Sequence, residues 1–140
     1  EINAKIQLNN FDSSGYFGFM LNANKYSINK DSRDAAYRSG NYDTNYQGIG
    51  LRIDGVGEGS LANVDYANNT PTYGGFSVNL NKNQEFTLSV IKENNLISVY
   101  FDDAMVYSKN MNVSSLSGIL GFMSYKCDTY LKELTIKNLD

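Results

Sequence analysis

The sequence lacks several residue types on which common catalytic and metal-binding chemistries depend. It contains no histidine, no tryptophan, one cysteine and one proline among 140 residues. Without histidine, the most common general base and the most common zinc ligand are absent. Cys127 has no second cysteine for an intramolecular disulfide and no histidine to activate it as a nucleophile. We therefore interpret Cys127 as a small apolar side chain in the last hairpin.

The sequence also has no basic excess and no long apolar run. Lys and Arg number 12 against 15 Asp and Glu, for a net charge of −3, which argues against a nucleic-acid partner. No run approaches the roughly 20 apolar residues of a membrane-spanning helix, so no membrane partner is expected. A chain of this length can bury a core of its own. We expect a single domain over residues 1–140, excised from a larger protein.

Alternation of apolar and polar residues runs through most of the sequence. This two-residue period is typical of strands with one face on a core and one in water. The alternating apolar sets are Ile2, Ala4, Ile6 and Leu8; Ile49, Leu51 and Ile53; Phe86, Leu88 and Val90; Ile97, Val99 and Phe101; and Leu134 and Ile136. Together with Ile119 and Phe122, the sets of the second half are predicted to form most of the core. The N- and C-terminal strands are expected to be adjacent.

Polar turns separate these strands, and two longer polar stretches interrupt the first half. Asn94-Asn95 and Asp102-Asp103 divide clear strands. Residues 30–47 and 65–75 are interpreted as loops, the second of them containing Pro71. Many short antiparallel strands predict an all-β fold, an antiparallel β-sandwich of the jelly-roll type.

Several segments resemble the concanavalin-A-like and laminin-G-like jelly-roll superfamily. They are the hairpin of residues 86–103, Ser117-Gly118-Ile119-Leu120-Gly121-Phe122, the closing segment of residues 134–139, and Gly15-Tyr16-Phe17-Gly18-Phe19. Within that group the pattern is most similar to family 66 carbohydrate-binding modules, which are attached to fructan-cleaving hydrolases. The resemblance implies the concanavalin-A-like sandwich and a carbohydrate ligand. It does not identify ligand residues.

Candidate ligand residues therefore come from the sequence itself. Arg52 and Asp54 flank Ile53, so both should point away from the core. They are either a cross-strand ion pair or a polar clamp on sugar hydroxyls, to which Glu58 would add a carboxylate. Tyrosines either fill the core or present a ring face to a sugar. The ligand is expected in the first half, and the full candidate set is Tyr37, Arg38, Tyr42, Tyr46, Arg52, Asp54 and Glu58, with Tyr125 and Asp128 from the last hairpin.

Catalytic and metal sites are less well supported. Asp102 and Asp103 are adjacent in a strand-and-turn segment, so they would point apart and could not flank one glycosidic bond. The spacing of an EF-hand is absent, and a structural calcium site built from scattered Asp and Asn residues stays open without a location. No catalytic residue is assigned.

These observations favour a non-catalytic carbohydrate-binding module that binds an oligosaccharide or polysaccharide. Such a module would tether a linked catalytic or surface domain to a glycan and raise the local substrate concentration. The alternatives are a protein-binding adhesin or structural domain and a small carboxylate-dependent glycosidase. The composition, rich in Asn, Ser, Tyr and Gly, resembles surface modules of low-GC bacteria. We therefore expect a secreted or surface-attached bacterial protein that is monomeric.

Overall fold

Eight antiparallel strands build the described part of the chain. A computed structural model describes residues 1–23, 47–65, 69–111 and 118–139. The strands are β1 (Ile2–Ala23), β2 (Gln47–Asp54), β3 (Glu58–Asp65), β4 (Asn69–Ser77), β5 (Gln84–Glu93), β6 (Leu96–Phe101), β7 (Ala104–Asn110) and β8 (Ile119–Ile136). No helix in these ranges is long and apolar enough to cross a membrane.

Strand β1 is shared by two layers of the sandwich. Its first part pairs with β5, from Ile2 opposite Val90 to Leu8 opposite Gln84. Its last part pairs with β2, from Tyr16 opposite Asp54 to Leu21 opposite Ile49. Strand β8 runs beside β1 along both parts. One layer therefore has the order β8-β1-β2-β3-β4, and the other has the order β8-β1-β5-β6-β7.

The change of layer occurs at a bend in β1. Four residues, 12–15, lie between the paired positions Phe11 and Tyr16, whereas only Lys126 lies between their partners on β8. The Asp12 carboxylate closes the bend by accepting hydrogen bonds from the backbone N–H and the hydroxyl of Ser14, at 2.8 and 2.7 Å. Such unequal spacing is a β-bulge, which bends a strand and increases its twist.

The core lies between the two layers and follows the alternation of the sequence. The side chains of Ile6, Leu51 and Val99 are fully buried, as are most of the other alternating residues of β1, β2, β5 and β6. At the far side of the sandwich the rings of Phe76 on β4 and Tyr107 on β7 lie 6.0 Å apart. The outer strands of the two layers therefore contact each other there.

Not all expected core residues are buried. Phe101 and Phe122 are partly buried against the core, and the Ile119 side chain lies outside the described residues. The prediction was wrong for Leu134 and Ile136, which are 42% and 64% exposed. Both residues lie on β8, the outermost described strand of their layer. The alternation of apolar and polar residues predicts which face of a strand a side chain is on, but it does not predict whether another strand covers that face.

The predicted turn at Asp102-Asp103 is confirmed, whereas the predicted loop at residues 65–75 is not. Asp102 and Asp103 both have positive φ, 47° and 65°, as the central residues of a type I′ hairpin turn require. The interpretation of residues 65–75 as a loop was wrong, because Asn69–Ser77 forms β4. Pro71 lies on an edge strand, at the irregularity of pairing opposite Asn63–Asp65 of β3, and edge strands and bulges are the places in a sheet where proline is tolerated.

Candidate functional site

Three local structures meet on one surface of the protein. They are the bend of β1, the turn between β2 and β3, and an irregularity of β8 at Lys126, whose φ is +51°. The backbone N–H of Gly55 in the turn donates to the carbonyl of Gly15 in the bend, at 2.9 Å. The Lys126 ammonium donates to the Ser14 hydroxyl at 3.2 Å. Residues from the beginning, middle and end of the chain therefore share one surface.

A stack of rings and cations, Arg52, Tyr16, Tyr125 and Lys126, forms the centre of this surface and is called the ring stack below. The Arg52 guanidinium carbon lies 4.2 Å from the centre of the Tyr16 ring. The Tyr16 and Tyr125 rings are stacked, with centres 5.4 Å apart and planes at 30°. The Lys126 ammonium nitrogen lies 5.5 Å from the centre of the Tyr125 ring. Both cations are within the range of attraction to an aromatic face.

Strand pairing explains why these side chains meet. Tyr16 is directly opposite Tyr125 on β8 and Asp54 on β2. Arg52 is opposite Gly18, one diagonal step from Tyr16, and glycine adds no side chain between them. Neighbouring Phe17 faces the core, so Tyr16 faces outward by strand alternation.

The exposure of the two tyrosines differs. Tyr16 is only 4% exposed although it lies outside the core cluster, whereas Tyr125 is 43% exposed. Tyr16 is thus a covered support, and the Tyr125 ring is the aromatic surface that a ligand can reach. An exposed ring supported by a second ring offers an apolar face, and the flanking cations offer hydrogen-bond donors.

The carboxylates near the ring stack are engaged by the local backbone and hydroxyl groups. Oδ1 of Asp54 accepts hydrogen bonds from the N–H groups of Val56 and Glu58, both at 3.0 Å, and so closes the β2–β3 turn. The Glu58 carboxylate accepts from the Ser77 hydroxyl at 3.0 and 3.1 Å. Hydrogen bonds from Ser14 lower the pKa of Asp12, first through its hydroxyl and then through its backbone N–H. These carboxylates have clear structural roles at the edge of the surface.

Two hydrogen bonds fix the end of β8 that carries Asp128. The Ser124 hydroxyl donates to the Cys127 carbonyl at 2.9 Å, and the Thr129 hydroxyl donates to the Ser124 hydroxyl at 2.7 Å. Asp128 itself is exposed and lies opposite Asn10 on β1. Its carboxylate is available at the surface, on the β8 side of the bend.

The structure thus combines candidates that the sequence assigned to separate halves. Arg52, Asp54 and Tyr125 lie around Tyr16, which was missed by sequence reasoning. The sequence did contain a signal for Tyr16. Phe17 faces the core, so Tyr16 and Gly18 on either side of it face outward, and a glycine at position 18 leaves space beside the Tyr16 ring. Four candidates, Tyr37, Arg38, Tyr42 and Tyr46, lie outside the described residues. Among the described side chains, no group of three His, Cys, Asp or Glu residues is arranged to hold a metal ion.

Cys127 is half-buried beneath this surface, and burial raises the pKa of its thiol. Because the thiolate is the reactive form, we expect Cys127 to react slowly with iodoacetamide at neutral pH in the folded protein. In urea-unfolded protein the same thiol should react at the rate of an ordinary exposed cysteine. Mass spectrometry of timed samples measures both rates. A folded protein that reacts as fast as the unfolded chain would contradict the interpretation of Cys127 as an inert packing residue.

Comparison with solved structures connects this architecture to known proteins. No family model matches the sequence, and no curated protein matches it. The carbohydrate-binding module CBM66 from Bacillus subtilis superposes with a TM-score of 0.58 at 12% identity, over 95% of this chain and 71% of that one. The fold is a lectin-like jelly roll.

Two further structures share the jelly roll. The Caenorhabditis elegans galectin LEC-6 matches with a TM-score of 0.53 at 9% identity, over 91% of this chain and 81% of the galectin. The kappa-carrageenase from Pseudoalteromonas carrageenovora, solved with a carrageenan oligosaccharide, matches with a TM-score of 0.50 at 16% identity. That match covers 93% of this chain and 49% of the enzyme. The predicted antiparallel sandwich of concanavalin-A-like type is confirmed, and identities this low establish the fold alone.

Proposed function

We propose that this jelly roll is a non-catalytic glycan-binding module and that the ring stack forms part of its binding surface. The observation that carries the proposal is the exposed Tyr125 ring held against Tyr16, with Arg52 and Lys126 on either side. A sugar presents C–H groups on one face and hydroxyls around its rim. An accessible ring suits the former, and cationic donors suit the latter.

Two observations favour binding over catalysis. The Asp54 and Asp12 carboxylates close their own turns, and Asp102 accepts the Thr87 N–H at 2.9 Å in the β6–β7 turn. A glycosidase of the usual kind needs two carboxylates that face each other across a bond, one of them protonated. Two of the three matched structures are named as a carbohydrate-binding module and a galectin, whereas the third is named as an enzyme, a kappa-carrageenase.

We further propose that the module acts by tethering a linked catalytic or surface domain to an extracellular glycan. A weak binding site is sufficient for this role, because linkage makes the second encounter intramolecular and raises the effective concentration. We also propose secretion or surface attachment, since polysaccharide substrates are encountered outside the cell, and a bacterial source, since the composition rich in Asn, Ser, Tyr and Gly resembles surface modules of low-GC bacteria.

The test begins with a glycan array and continues with calorimetric titration of the best ligand. We expect Arg52→Ala to weaken binding more than tenfold, since a lost hydrogen bond to a charged group costs about 1.5–3 kcal/mol. Tyr125→Ala should also weaken binding, because it removes the exposed ring against which the sugar would pack. Tyr130→Ala is the matched control, because Tyr130 is another exposed tyrosine of β8, at 56%, opposite Gln7 and away from the ring stack. Circular dichroism should show the same folded spectrum for all three variants.

The possible results separate the rival functions. If the wild type binds no glycan but binds a surface protein, the adhesin alternative is correct. If labelled polysaccharide is cleaved by the purified domain, the module is an enzyme. If glycan binding survives both substitutions and is lost on Asp128→Ala, the site lies on β8 beyond the ring stack.

A further inference from the structure

One edge of the sandwich carries apolar side chains that no described strand covers. Beyond the bend, β8 pairs with β1 on one side and is the last strand of its layer on the other. Leu134 and Ile136 lie opposite buried Ala4 and Ile2, so they project toward the inner face of the layer. They are nevertheless 42% and 64% exposed, and Leu139 just beyond them is 46% exposed. The opposite margin of the sandwich differs, because β4 and β7 contact each other there.

The backbone of this edge is arranged to accept another strand. The Lys137 N–H donates to the Glu1 carbonyl at 2.9 Å, and the Glu1 amine donates to the Lys137 carbonyl at 2.8 Å. In an antiparallel ladder, hydrogen-bonded and non-hydrogen-bonded pairs alternate. Thr135 and Glu133 therefore bond to β1 as Lys137 does. The N–H and C=O groups of Leu134 and Ile136 point outward, as a template for a neighbouring strand.

The charges of the edge select a partner and a register. Glu133 and Lys137 lie on the outer face, two residues on either side of Thr135. If a second β8 pairs antiparallel about a two-fold axis at Thr135, Glu133 of each copy lies opposite Lys137 of the other. Leu134 then lies opposite Ile136, and the outward N–H and C=O groups of these two residues bond to each other. An axis at Leu134 or at Ile136 would also satisfy the backbone hydrogen bonds. The axis at Leu134 places Glu133 opposite Thr135, however, and the axis at Ile136 places Glu133 opposite Leu139, so neither pairs Glu133 with a cation.

We propose that two copies of this chain associate through the β8 edge, about a two-fold axis at Thr135. The pairing joins the two β8-β1-β5-β6-β7 layers into one continuous sheet and covers Leu134, Ile136 and Leu139. Isologous contacts of this kind are self-complementary and end at a dimer. The proposal is independent of glycan binding, and it replaces the sequence-based expectation of a monomer.

Charge reversal tests the proposal. Analytical ultracentrifugation over a concentration series should show a reversible monomer–dimer equilibrium for the wild type. Lys137→Glu creates two like-charged pairs across the interface, and Glu133→Lys creates two as well and also places a lysine beside Lys5, whose ammonium lies 3.7 Å from the Glu133 carboxylate. Each should raise the dissociation constant by roughly tenfold. The double variant E133K/K137E exchanges the charges and should restore dimerisation to near the wild-type level. Glu93→Lys, at an exposed position of the same charge at the end of β5, is the control and should have no effect.

Hydrogen exchange of the wild type supplies a second readout that does not depend on how stable the variants are. The Leu134 and Ile136 amides should become protected as the protein concentration rises, whereas the Asn94 amide in the β5–β6 turn should not. A protein that remains monomeric at millimolar concentration would overturn the proposal. Dimers that survive both single reversals, or single reversals that the double variant fails to rescue, would overturn the register and the assigned edge. A monomer whose β8 amides are already protected would show that another segment covers the edge.

Discussion

Replacing Phe86 by alanine should lower the free energy of unfolding by about 3–5 kcal/mol, the usual cost of deleting a fully buried phenylalanine. Phe86 is 2% exposed and lies on β5, where the two layers meet. Its ring centre is 5.7 Å from that of Phe17 on β1 and 4.7 Å from that of Phe101 on β6. The substitution removes both ring contacts and leaves a cavity that close-packed neighbours fill only partly.

Phe101→Ala is the matched control for this prediction. Phe101 stacks on Phe86 but is only partly buried, so its removal exposes less new cavity surface and should cost less. Urea unfolding followed by circular dichroism gives both values. Equal losses for the two variants, or a loss below about 1 kcal/mol for Phe86→Ala, would show that the centre of the core lies elsewhere.

Gly18→Ala should destabilise the fold by at least about 3 kcal/mol, the upper end of the cost of overpacking. A Cβ at this position would lie 1.9 Å from the backbone oxygen of Leu51 on β2, and a backbone atom cannot rotate away. Gly18 also has a φ of +154°, which L-amino acids rarely adopt. Strands β1 and β2 would have to separate where Arg52 reaches Tyr16.

Gly75→Ala is the control in the same layer, because its Cβ would meet no atom closer than 3.5 Å. It should leave stability unchanged or slightly higher, since alanine restricts the unfolded chain more than glycine does. Thermal unfolding of the two variants beside the wild type makes the comparison. A Gly18→Ala protein as stable as Gly75→Ala would show that β1 and β2 are farther apart than described.

Much of the fold could be predicted from the sequence because alternation is a local property. The buried faces of β1, β2, β5 and β6 follow directly from the order of apolar and polar residues. Strand β4 was missed because its Pro71 and polar residues resemble a loop, and only its position at a sheet edge makes a strand there acceptable. Leu134 and Ile136 were assigned to the core because their face is correct, although none of the described strands covers that face.

The candidate site was harder to predict, because its members meet through pairing between distant strands. Residues 16, 52 and 125 become neighbours only when β1 lies between β2 and β8. Arg52 and Tyr125 were selected for their chemistry, but nothing in either segment indicates the other. In the sequence, Tyr16 was considered only as part of the fold motif Gly15-Tyr16-Phe17-Gly18-Phe19. In the structure it is the residue of the ring stack that contacts both Arg52 and Tyr125.

The pairing of the first strand with the last has a consequence for synthesis. Ile2 lies opposite Ile136, so β1 cannot complete its hydrogen bonds until the ribosome has released nearly all of the described chain. The apolar residues of β1 therefore lack their neighbours on β8 until nearly all of the described residues have been synthesised. Folding must also bring β1 and β8 together, a contact of high sequence separation that forms slowly compared with the local contacts of helical proteins. We therefore expect the domain to fold as one unit once β8 has been synthesised, with the pairing of β8 and β1 as the step that completes the fold.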